Sequence, residues 1–87
     1  MYVSPECLQL LEPGQEKTLG QTDVVILNCA VEAKLSKTQW DEMLDKIGAE
    51  KIKDILEIDA EDFHSCDFKP VLQSRLETFQ SALYRNY

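Results

Sequence analysis

The thirteen residues from Asp23 to Leu35 decide which fold class this chain can enter. Val25, Leu27, Cys29, Val31, Ala33 and Leu35 alternate with Asn28, Ala30, Glu32 and Lys34, a set that turns polar towards the end. That is the period of two of a strand with one buried face. The leading Val24-Val25-Ile26 is β-branched, which favours extended backbone. A helical stripe also fits, through Val24, Leu27, Val31 and Leu35. The alternation favours the strand. The expected fold is therefore α+β, a small antiparallel sheet from the N-terminal half packed against three to four helices of the C-terminal half. An all-α bundle is the alternative, and it follows directly if residues 23–35 are helical. A sheet of two or three strands is marginal alone, so helices or a second copy would have to cover it.

The flanking segments carry local signals of unequal strength. Ser4-Pro5-Glu6 reads as a helix start, with Ser4 as N-cap and Pro5 in the first turn. A strand from Cys7 to Glu12, ended by Pro13-Gly14, fits as well. From Ser36 the reading is clearer. Ser36-Lys37-Thr38-Gln39 is a capping-box pattern. Trp40, Met43, Leu44 and Ile47 follow on one helix face, and Gly48 suits a left-handed terminus. Trp40 is expected to pack on the sheet. A second helix is expected with Ala49, Ile52, Ile55 and Leu56 on its inner side, then a turn from Ala60 to Phe63 capped by Asp59. Pro70 opens the last helix, whose stripe is Leu72, Leu76, Phe79 and Leu83, widened by Val71 and Ala82.

Length limits what such a chain can enclose. An 87-residue chain is one small domain, and it buries about 60% of the surface it exposes when unfolded. A large enclosed active site is not expected. Three cysteines, at 7, 29 and 66, are odd in number and widely spaced. Disulfide-stapled secreted chains usually carry even sets. The first twenty residues lack the continuous apolar core of a signal peptide. The longest apolar run, Val24 to Leu27, is far short of the roughly 20 residues of a membrane span. The expected location is the cytoplasm.

Charge is unevenly placed. Sixteen acidic residues face nine basic ones, for a net −7. Asp54, Glu57, Asp59, Glu61, Asp62 and Asp67 lie within one stretch, 54–67, that holds no Lys or Arg. The remaining ten acids nearly balance the nine bases. An acidic chain is a poor ligand for phosphate backbones or anionic membranes. Direct nucleic-acid binding and membrane docking are not expected. Residues 36–63 resemble a helix-turn-helix in outline, but the second helix mixes Lys51 and Lys53 with Glu50, Asp54 and Glu57.

No catalytic constellation stands out. His64 is the sole histidine, and it lies two residues from Cys66 among acids that would raise a thiol pKa. An EF-hand starting at Asp59 would place His64 where Gly is required. The pair His64 and Cys66 lacks the further ligands of a zinc site. No phosphate-binding glycine loop exists, since the glycines are isolated at 14, 20 and 48. Neither cofactor nor metal is expected, and the chain does not read as an enzyme.

The remaining reading is a surface for protein binding. Asp54, Glu57, Asp59, Glu61, Asp62 and Asp67, with Phe63 and Phe68 as apolar contacts, form the candidate surface for a basic protein partner. Small acidic single-domain proteins include nuclease inhibitors, antitoxins and phage proteins that block host defence enzymes. In size and charge alone this chain resembles them. An inhibitor or regulator of a basic, nucleic-acid-handling protein is thus the leading expectation. A structural or assembly subunit is the second, with Phe79, Leu83, Tyr84 and Tyr87 as a homodimer interface.

Overall fold

The computed structural model describes residues 3–86. Among them there is no strand. The expected sheet is absent, and the α+β reading is corrected to an all-α fold. The order is α1 (Pro5–Leu8), a 3₁₀ turn (Gln15–Thr18), α2 (Gln21–Glu32), α3 (Lys37–Ile47), a second 3₁₀ turn (Ile52–Glu57), α4 (Ala60–Ser65) and α5 (Pro70–Asn86).

The segment read as a strand is α2, the centre of the molecule. α1, α5 and the second 3₁₀ turn all pack against it. Val24, Ile26, Leu27, Cys29 and Ala30 are buried, and Val25 and Val31 partly so. A helix enclosed on several sides is apolar nearly all round and loses the one-sided stripe that marks a surface helix. The alternating pattern arose from that near-uniform apolarity, not from a pleat. The end of α2 is equally disguised. Lys34 takes a left-handed conformation, φ 62°. The N–H of Leu35 reaches the carbonyl of Ala30 at 3.2 Å and that of Lys34 reaches Val31 at 2.9 Å. This is a Schellman closure with lysine where glycine is usual.

The local signals elsewhere hold. Ser4 caps α1, accepting from the N–H of Cys7 at 3.3 Å, and Pro5 is in the first turn. The Cys7 thiol then donates to Asn28 Oδ1 at 3.1 Å, tying α1 to α2. Ser36 and Gln39 form the reciprocal capping box, at 3.2 and 3.0 Å. Gly48, φ 72°, closes α3, with the N–H of Ala49 on the carbonyl of Leu44 at 2.9 Å. Trp40 packs on α5 instead of a sheet: its ring meets Phe79 edge-on, 5.9 Å between centroids. The Arg75 guanidinium adds a hydrogen bond to Gln39 Oε1 at 2.7 Å.

The second expected helix is instead the 3₁₀ turn Ile52–Glu57. The Asp54 carboxylate accepts from the N–H groups of Glu50 and Lys51, at 3.0 and 2.9 Å, and starts it. With about three residues per turn, 52, 55 and 58 align. Ile52 and Ile55 are buried and Ile58 partly buried, while Leu56 faces outward, 42% exposed. In α5, Leu72, Leu76, Phe79 and Ala82 are buried as expected, but Val71 is 62% exposed and does not widen the stripe.

Candidate protein-binding groove

The acidic stretch folds as the end of the 3₁₀ turn, α4 and the loop to α5. Its six carboxylates separate into two roles. Asp54 caps the 3₁₀ turn, as above. Asp62 Oδ2 accepts the N–H of Asp59 at 3.2 Å and opens α4. Glu57, Asp59, Glu61 and Asp67 are exposed, and their carboxylates accept no hydrogen bond among the described residues. The three ion pairs of the described residues lie elsewhere: Lys37 with Glu12 and Asp41, and Arg85 with Glu32. Burial opposes the charge on Lys37, but its bonds to Glu12 and Asp41 outweigh that and raise its pKa.

The two phenylalanines assigned as partner contacts are core residues. Phe63 is 1% exposed and Phe68 8%, so both assignments are corrected. Helix α4 packs against α5 and turns Phe63 inward. The Lys46 ammonium sits 5.0 Å from the Phe68 ring centroid and donates to the carbonyl of Asp67, which closes that loop over the core. Phe79, assigned to a dimer interface, is fully buried, a third correction. Leu83 is partly buried and Tyr84 is 77% exposed. Tyr87 lies outside the described residues.

These placements bring two separately expected surfaces to one site. A cleft of about 250 Å³ opens between the second 3₁₀ turn, α4 and α5. Ile55 and Phe63 form its floor. Leu56, Ile58 and Leu83 wall it, and Asp59, Gln80 and Tyr84 stand at its edge. Leu56 and Tyr84 are two of the four large apolar side chains exposed among the described residues. Leu56, Ile58 and Gln80 were not assigned to a binding surface from the sequence, and Leu56 was read as facing inward. The available signal was the spacing of three in Ile52, Ile55 and Ile58 behind the Asp54 cap.

The cleft offers apolar contact with one carboxylate, that of Asp59, at its edge. Small-molecule pockets usually span about 300–1,000 Å³. This one has room for one or two side chains. It contains no cysteine or histidine. His64 is exposed on α4, and Cys66 packs partly buried against the core, its thiol donating to the Lys46 carbonyl at 3.9 Å. Burial, then the charge of Glu32, pushes the Cys29 thiol up, which disfavours a thiolate there. Among the described residues no three His, Cys, Asp or Glu side chains are grouped to hold a metal ion. No helix among them is long and apolar enough to cross a membrane. No family model, no curated protein and no solved structure matches this chain, so its reading rests on its own residues and their geometry.

Proposed function

We propose that this protein acts by binding another protein, without catalysis, and that it inhibits or regulates a basic, nucleic-acid-handling partner. The observation that carries this reading is the cleft with Asp59 at its edge and Glu57 and Glu61 exposed beside it along the chain, none of the three in an ion pair among the described residues. Desolvated apolar contact at the centre supplies affinity, and surrounding charge supplies steering and selectivity. Basic nucleic-acid-handling proteins present the complementary charge.

The test compares the wild type with Leu56→Ser/Tyr84→Ser as baits in the native host. A partner captured by the wild type should bind the variant at least about tenfold more weakly, a loss of about 1.4 kcal/mol. Converting Glu57, Asp59 and Glu61 to amides should flatten the salt dependence of the same interaction. Equal binding by all three proteins overturns the reading. A homo-oligomer built on α5 is the second reading, favoured by the exposed Tyr84. It requires sedimentation to give a dimer that Tyr84→Ser dissociates.

A further inference from the structure

We infer that the occupant of the cleft is a basic amphipathic helix of the partner, with apolar side chains seated between Leu56 and Tyr84 and Lys or Arg over the carboxylate edge. This inference rests on the protein-binding reading and adds the form and charge of what is bound.

Three observations select this occupant. The first is size. At about 250 Å³ the cleft takes one or two side chains, which is how a helix presents neighbours three or four residues apart. The second is the backbone of the surroundings. All three elements around the cleft are helical, and no strand edge exists among the described residues. An extended segment would find no ladder to extend and would leave its own N–H and C=O groups without protein partners. A helix arrives with those groups already bonded, and needs from the cleft only apolar contact. The third is charge. Asp59 stands at the cleft, and Glu57 and Glu61 lie two residues to either side along the chain, both exposed. None of the three is in an ion pair among the described residues. A second copy would bring the same carboxylates and a further −7, setting like charges against each other. A cationic helix neutralises them.

The experiment titrates the isotopically labelled full chain with synthetic peptides of about 16 residues, about four helical turns. One peptide is an amphipathic Leu/Lys helix. Its controls are the same sequence with a central proline, the same composition scrambled to remove the apolar face, and a Leu/Glu counterpart. The Leu/Lys helix should shift amide resonances at 55–63 and 80–84. It should bind at least about tenfold more tightly than each control, and the uncharged Leu56→Ser should weaken it by a similar factor. Far-UV circular dichroism of that variant should match the wild type, because Leu56 is already exposed.

Each other result overturns a stated part. Equal binding of the proline peptide removes the helix and leaves the protein-binding reading intact. Equal binding of the Leu/Glu peptide removes the charge selection, and equal binding of the scrambled peptide removes the apolar register. Shifts outside the cleft, or binding that Leu56→Ser does not weaken, remove the cleft and the reading on which it rests. Self-association of the peptide-free protein that shifts the same resonances replaces the helix with a second copy.

Discussion

Phe63 lies between Asp62 and His64, both exposed, and is itself shut into the core. At 3.6 residues per turn, neighbours on α4 face different ways: the phenyl ring packs towards α5 while the residues on either side face water. A sequence cannot display that direction when a helix is only six residues long, because so short a segment shows no repeat of its stripe. Phe68 lies in the loop before α5, where there is no stripe to read, while Phe79 was read both into the α5 stripe and into an interface, and its burial decides for the stripe. The distinction is measurable. Phe63→Ala should destabilise the fold by about 3–5 kcal/mol, a large share of the about 5–15 kcal/mol that holds a typical domain. Tyr84→Ala, at the exposed edge, should stay within about 0.5 kcal/mol. Urea unfolding of both variants checks the pair. A near-neutral Phe63→Ala would return that ring to the surface.

Helices α3 and α5 were legible because each is bounded and one-sided. Ser36, Gln39 and Gly48 punctuate α3, and its apolar residues fall on one face. Pro70 marks the start of α5. Helix α2 offered neither sign: its apolar residues surround it, and Lys34 conceals its end. The second 3₁₀ turn was read as an α-helix because both place 52 and 55 together; only the direction of Leu56 separates them. Lys34 supplies the test at this scale. A non-glycine residue in the left-handed region costs about 1 kcal/mol or somewhat more. Lys34→Gly should therefore raise stability by roughly 0.5–1 kcal/mol, after allowing for the greater freedom of glycine in the unfolded chain. The midpoint of chemical unfolding reads this directly. A drop would mean that the lysine side chain contributes more than its backbone costs.

Across the whole molecule, the concentration of charge in 54–67 was plain from the sequence, and its meeting with α5 was not. That meeting depends on α4 packing against α5, a tertiary contact that no local pattern encodes. Crowded carboxylates also oppose the compact state, and salt should relieve them. Raising NaCl from about 0.01 to about 0.5 M shortens the screening length from about 30 to about 4 Å. Relief of about 1 kcal/mol would lift the thermal midpoint by about 4–8 °C. The lift should be smaller in Glu57→Gln/Glu61→Gln. An equal lift in both proteins would locate the repulsion elsewhere. The packing of Trp40 against Phe79 has a consequence of another kind. The chain holds one indole, 2% exposed, on the joint between α3 and α5. Its emission is a built-in optical gauge of the interior: dark to events at the Leu56–Tyr84 edge, and altered when α3 and α5 part.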